Sequence, residues 1–337
     1  MRFRCRPCMH WAVLMDNIRL TRNLLDQGYN WVDLRRLQRD GELVRVRRGA
    51  YCQDEKPGEF LEERHRRLIL ATAPQLRDGA VFSHGSAAVM HGLPVWSEAV
   101  ARVHVTRDRR GKGIKRSVVQ VNGAPLQPSE IVLIDNIPVT SLARTVLDLA
   151  RTVPMTQAVS AGDCALALGL TRQELQVGLL LMERWPGVRA ARRVVEFLDA
   201  RSESAGESMS RVRLMEEGLP RPELQQEIFG PDGRLVARVD FRWKEYKTVG
   251  EFDGKIKYGR LLKPGQRIED VIFEEKVRED AVRDLGLQVV RWISRDLYRP
   301  GVLRERVLRA FARATCRNLA PLASTWHQSQ LMPRASF

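Results

Sequence analysis

The stretch Arg238–Tyr258, RVDFRWKEYKTVGEFDGKIKY, reads as two short strands joined by a tight polar turn. Val239, Phe241 and Trp243 alternate with Arg238, Asp240 and Arg242, the period of two that buries one face of a strand and leaves the other half exposed. Lys244–Lys247 makes the turn, and Thr248–Phe252 returns. Asp240 then points to one face, while Glu251 and Asp253 share a face of the neighbouring strand. Acids inside strand-forming sequence are unfavourable unless something binds them. Three converging carboxylates suit a hard divalent cation such as Mg2+ or Mn2+, which takes oxygen ligands and keeps waters for chemistry. Lys255 follows closely enough to offset charge on a phosphate oxygen. The plainer use of the same acids is ion pairing with Arg238, Lys247 or Lys255.

Outward from this stretch, Leu224–Phe229 and Leu235–Trp243 around the turn Gly230–Gly233 predict a hairpin that delivers Asp240. Beyond the Asp253-Gly254 bend, a loop is expected over Arg260–Gln266, a helix over Glu269–Leu285 and a strand over Leu287–Ile293. Residues 294–314 read as helical and basic, and 316–337 as a tail. Upstream, Asp199–Gly206 is small and polar and marks a boundary. There Ser204-x-x-Glu207 fits a capping box opening a helix that runs to Glu217.

These residues carry a resemblance. Asp240 followed by Glu251-x-Asp253-Gly254 and a lysine, with EFDGKIKYGRLLKPGQ (251–266) and EEKVREDAVRDLGLQVVRW (274–292), resembles the PD-(D/E)XK nuclease superfamily. It is closest in pattern to very-short-patch-repair-like proteins of the DUF559 type, over residues 201–315. The resemblance implies a restriction-endonuclease-like mixed sheet flanked by helices, metal-dependent hydrolysis of phosphodiester bonds in defence or repair, and Mg2+ (or Mn2+) held by Asp240, Glu251 and Asp253. The usual Glu-x-Lys triplet reads Glu251-Phe252-Asp253 here, so the catalytic lysine falls to Lys255 or Lys276. A helix acid at this place in the family often joins the metal site, which gives Glu207 a second role beside capping.

The amino-terminal part, residues 16–55, reads as a small winged helix-turn-helix. Ile18, Leu20, Leu24 and Leu25 suggest a first helical segment; Gly28-Tyr29-Asn30 turns, with Asn30 as N-cap; Trp31–Arg39 follows as a helix with Val32, Leu34 and Leu37 inward. Leu43–Tyr51 is a basic hairpin. Trp31, Arg35, Arg36 and Arg39 on the helix and Arg45, Arg47 and Arg48 on the wing are the candidate DNA contacts, a helix in the major groove flanked by a ribbon on phosphates. GELVRVRRGAY (41–51) and SHGSAAVMHGLP (83–94) resemble AbiEi-type antitoxins, which act as transcriptional autorepressors. That resemblance implies DNA and a cognate toxin protein as partners.

Residues 56–155 read as a small α/β domain with strands around 101–106, 118–121, 131–134 and 137–139, a basic loop over Arg107–Arg116, and a helix Leu142–Arg151 capped by Thr140 or Ser141. No catalytic constellation is legible there. His84 and His91 are seven residues apart, too far along a helix to share a metal, and read as structural or hydrogen-bonding residues. Residues 156–200 form a helical bridge.

The fold class expected is therefore multidomain α+β. With 56 lysines and arginines against 41 acids, a net charge of +15 attracts polyanions, although a solubilising surface accounts for part of the excess. Five scattered cysteines argue against a disulfide framework, and Cys5-x-x-Cys8-x-His10 lacks a second pair for zinc; residues 1–15 are expected as an extension. No apolar run approaches the roughly 20 residues of a membrane span, so a cytoplasmic location is expected. Three functional classes remain open: a targeted DNA endonuclease, an AbiEi-like regulator with an inactive nuclease fold, and an interaction module whose charge is incidental.

Overall fold

The computed structural model describes residues 18–53, 59–108, 113–254 and 268–319. Lys255, the expected loop 260–266, the cysteine-rich start and the expected tail from residue 320 lie outside the described residues. The chain is a multidomain α+β protein that divides into two compact units, Met1–Leu219 and Pro220–Phe337. No helix among the described residues is long and apolar enough to cross a membrane.

The first unit starts with β1 (Ile18–Leu20), α1 (Thr21–Asp26), α2 (Trp31–Arg39), β2 (Val44–Arg47) and β3 (Ala50–Cys52), the strands ordered β1-β3-β2. Ile18–Leu20, expected as helix, is a strand because it completes the hairpin's edge, Ile18 opposite Cys52 and Leu20 opposite Ala50. Asn30 caps α2, accepting from Val32 N and Asp33 N at 2.8 and 3.1 Å while Asp33 returns a bond to Asn30 N. Leu34 is buried but Val32, expected inward, is 69% exposed; two residues is about 200° around a helix, so both cannot face one core.

A second layer follows: α3 (Leu61–Thr72), β4 (Ala80–Phe82), α4 (His84–Met90), β5 (Val103–Arg107), β6 (Ile114–Lys115), β7 (Val119–Gly123), β8 (Ile131–Ile134) and β9 (Ile137–Thr140). Its sheet runs β6-β7-β5-β4-β9-β8. Asp135 and Asn136, both at positive φ, make the β8–β9 turn, as such residues do in two-residue hairpin loops. Then come the helices α5 (Leu142–Thr152), α6 (Met155–Ala167), α7 (Arg172–Leu181), α8 (Val188–Phe197) and α9 (Ala205–Glu216). Ser141 caps α5, and Val146, Leu147, Leu149 and Ala150 enter the helical core.

Helix α9, expected with the C-terminal domain, belongs to the first unit. Its Arg211 meets Asp163 of α6 at 2.6 Å, Ser208 Oγ donates to the same carboxylate at 2.7 Å, and both side chains are buried. The polar linker at 199–206 therefore connects elements of one core.

The second unit is one sheet, β10 (Glu223–Phe229), β11 (Leu235–Trp243), β12 (Thr248–Asp253) and β13 (Gln288–Ile293), in that order, with α10 (Ile268–Asp284) and α11 (Val302–Leu319). The first three strands are antiparallel; β12 and β13 are parallel, with α10 between them in the chain. Trp292 is fully buried with its ring centroid 5.1 Å from that of Phe241, and Phe311 of α11 packs edge-on to Trp243. Gly250 is needed between them: a Cβ there would stand 2.7 Å from the Trp292 ring.

Candidate functional site

The hairpin and the parallel strand set the geometry. Register places Glu251 beside Arg291 and Asp253 beside Ile293, so Glu251 and Asp253 share a face of β12. On α10, Glu275, Glu279 and Val282 stand at i, i+4 and i+7, one face of a helix, and Val282 is buried in the sheet's core. The same face therefore carries Glu275 to the strand acids. Ligand atoms of Glu251, Asp253 and Glu275 all lie within 4.8 Å of one another.

Asp240 takes a different place. The ladder between β11 and β12 ends at Phe241 opposite Gly250, and there the Asp240 carboxylate accepts from Phe252 N at 3.0 Å. Its other oxygen accepts from Gln225 Nε2 at 3.3 Å, and Gln225 has a left-handed φ of 52°. The strand pairing is thus interrupted on both sides of Asp240, which braces the amide between Glu251 and Asp253. The structure groups Glu251 and Asp253 with Glu275; Asp240 is outside that group of three.

Arginines run through the acids. Arg291 reaches Glu275 at 2.6 Å, Glu279 at 3.0 Å, Glu251 at 3.1 Å and Asp253 at 3.5 Å, and Arg278 comes within 3.6 Å of Glu251. Burial opposes the charge on Arg291, but Glu251 foremost, then Glu275, Asp253 and Glu279, outweigh it and hold its pKa above the usual value. Among the described residues four carboxylates meet three guanidinium groups, because Arg283 pairs with Glu279 beside Arg291 and Arg278. Among the described residues Glu251 pairs with Arg291 and Arg278, and Asp253 with Arg291.

Lys276 is not brought into the cluster. It follows Glu275 by one residue, about 100° around the helix, and is exposed with no ion pair among the described residues. Glu207 is spent on α9: its carboxylate accepts from Ser204 Oγ at 2.7 Å and Glu203 N at 2.8 Å, while Ser204 Oγ accepts from Glu207 N. Sequence reasoning missed Glu275 and Glu279. The signal was their spacing to Val282 on one helix face.

In the first unit Trp31 is 58% exposed on the first turn of α2, with Arg35, Arg36 and Arg39 also exposed. Arg45 and Arg48 are exposed on the ribbon. Arg47 turns inward instead, donating to Thr72 Oγ1 at 2.7 Å, and burial lowers its pKa.

No family model matches the chain. It is 30% identical over 283 residues to the uncharacterized proteins MT2308 and Rv2248 of two Mycobacterium tuberculosis strains, covering 82% of this chain and 95% of each relative. The chain belongs to their family. Within that family the aligned length spans both units described above, since 82% exceeds the extent of either one. Among solved structures, the crystal structure of the RV2827C protein of M. tuberculosis matches with a TM-score of 0.34 and 14% identity, covering 67% of this chain and 90% of that one.

Proposed function

We propose that this protein binds DNA through residues 18–53 and hydrolyses its phosphodiester bonds at the acidic cluster of the second unit, in the manner of the PD-(D/E)XK enzymes it resembles. The observation that carries this reading is the gathering of acid: ligand atoms of Glu251, Asp253 and Glu275 lie within 4.8 Å of one another, with Arg291 among them. An all-oxygen donor set of this kind fits Mg2+ or Mn2+. Bound there, the ion would lower the pKa of a water and polarise a phosphate oxygen.

The protein's own part is positional. Asp240 fixes Phe252 N and with it the strand between the two acids. Arg291 holds Glu251 and Glu275 in place through Nη2 and Nη1. The role of offsetting charge on the phosphate falls to Lys255 on the resemblance, because Lys276 stands apart from the acids. In the first unit, α2 with its exposed Trp31 and three arginines, and the ribbon with Arg45 and Arg48, support the winged-helix reading.

One observation favours a second reading. A guanidinium within 3.5 Å of all four carboxylates already does part of a cation's work, which suits an AbiEi-like autorepressor, with or without a cognate toxin, whose nuclease fold is inactive. Nicking of supercoiled plasmid separates the two. The nuclease reading expects Mg2+- or Mn2+-dependent nicking that falls at least about 100-fold in Glu251→Ala, with DNA affinity retained. Equal nicking by wild type and Glu251→Ala, or none with either metal while DNA is still bound, selects against it.

A further inference from the structure

The helical side of the first unit holds a second polar site, built around a strained residue. His84 has a φ of +51°, a left-handed conformation that non-glycine residues adopt at a cost and that gathers at functional sites. Its neighbour helps to keep it there: at Gly85 a Cβ would lie 2.0 Å from Ala99 O, so no larger residue fits. His84 lines two cavities, of about 230 and 410 Å³, and Asn122 and Thr152 line both with it.

The imidazole is used on one side only. Nδ1 faces Ser83 Oγ at 3.0 Å, the Asn122 amide nitrogen at 3.4 Å and, at 4.0 Å, the Asp148 carboxylate. The amide also donates to Val105 O and its oxygen accepts from Gln120, so its nitrogen is the atom turned toward the ring. Nδ1 is then the acceptor, and the proton of the neutral ring sits on Nε2. That atom has no hydrogen-bond partner among the described residues. Burial above all keeps the ring neutral, with Arg151 and Arg144 acting against the pull of Asp148.

The larger cavity is lined by donors. Arg151, its side chain 10% exposed, gives Nη2 to Asp148 at 2.7 Å and Nη1 to Pro186 O at 2.8 Å, while its buried Nε is without a partner among the described residues. Arg184 is exposed on the rim, and Trp185 forms an apolar wall against which Arg151 and Arg144 lie. No acid lines this cavity among the described residues. Asp148 stands behind it, fully buried and already matched by Arg144 and Arg151.

We infer that the larger cavity binds a phosphate group, free or as a phosphate monoester, through His84 Nε2–H, Arg151 and Arg184. Charge-assisted donors converging on an open, partly apolar cavity of this size suit a phosphate with a small organic body beside it. The residues lining this cavity all belong to the first unit, and none lies on α2.

Calorimetric titration of the full chain with inorganic phosphate, AMP and adenosine tests this. Saturable binding of phosphate or AMP is expected in the wild type, weakened at least about tenfold in Arg184→Glu and in His84→Asn, and unchanged in the double variant Arg35→Ala/Arg36→Ala. Arg184 is exposed, so Arg184→Glu keeps the fold, which an unchanged melting temperature verifies; asparagine accepts the left-handed φ at position 84. AMP bound tightly where phosphate is weak identifies a nucleotide-like ester; equal binding of both identifies the phosphate group alone. Adenosine binding as well as AMP, binding unaffected by Arg184→Glu, or no binding at millimolar ligand overturns the inference.

Discussion

The two units bury charge in opposite ways. In the first, Asp148 and Asp163 are fully buried and each is matched: Asp148 by Arg144 and Arg151, Asp163 by Arg211, Ser208 Oγ and the amide of Asp199. In the second, Arg291 touches four acids, while Arg278 touches Glu251 and Arg283 touches Glu279. A matched buried pair is self-sufficient, and removing one partner strands the other. Crowded acids repel one another, and the arginines shared among them relieve that repulsion. The difference separates charge matched pair by pair from charge shared across a network.

Breaking a matched pair should have the largest effect. Arg211→Met leaves Asp163 buried without its guanidinium and should lower stability by about 3–5 kcal/mol in urea denaturation. A loss within 1 kcal/mol, roughly that of an exposed pair, would erase the contrast.

Acid should act next, and on the first unit. His65 is buried against Ser86 Oγ, and burial above all lowers its pKa from 6.5 to about 4, against a backbone bond at Val100 that raises it. The unfolded chain takes up a proton near pH 6.5 that the folded chain refuses until about pH 4. Stability from this residue is therefore complete above pH 6.5 and declines as pH falls, by roughly 3 kcal/mol at pH 4. Residues 220–319 contain no histidine, so tryptophan fluorescence and circular dichroism between pH 7 and 4 should report weakening of the first unit from this source. His65→Leu should reduce that dependence, with His104, whose pKa burial lowers to about 3, supplying part of the rest; an unchanged curve rejects the assignment.

The smallest effect is expected within the acid cluster. Glu279→Gln removes one of four acids around Arg291 and the half-exposed pair with Arg283, and Arg291 keeps three acids. Stability should change by less than about 1 kcal/mol, because relief of repulsion offsets the lost pair. A loss as large as that of Arg211→Met would mean that the cluster is a matched structural core after all.

Much of the second unit was legible in the chain. The β10–β11–β12 meander follows from alternation and from polar turns at Gly230–Gly233 and Lys244–Lys247, all local signals. The acid pair Glu251 and Asp253 was legible for the same reason. Glu275 was not, because its approach depends on how α10 returns across the sheet between parallel strands. Nor was the place of α9, decided by a buried contact 48 residues apart in the chain.

The sequence by itself determined the elements, the basic helix and ribbon at one end, and two of the three clustered acids, because period, caps and turns act over a few residues. Only the tertiary structure decided which charges meet. Arg291 among the acids and His84 beside Asn122, Asp148 and Arg151 are assemblies of residues far apart in the chain, and the distances that govern electrostatics exist only once the core has packed.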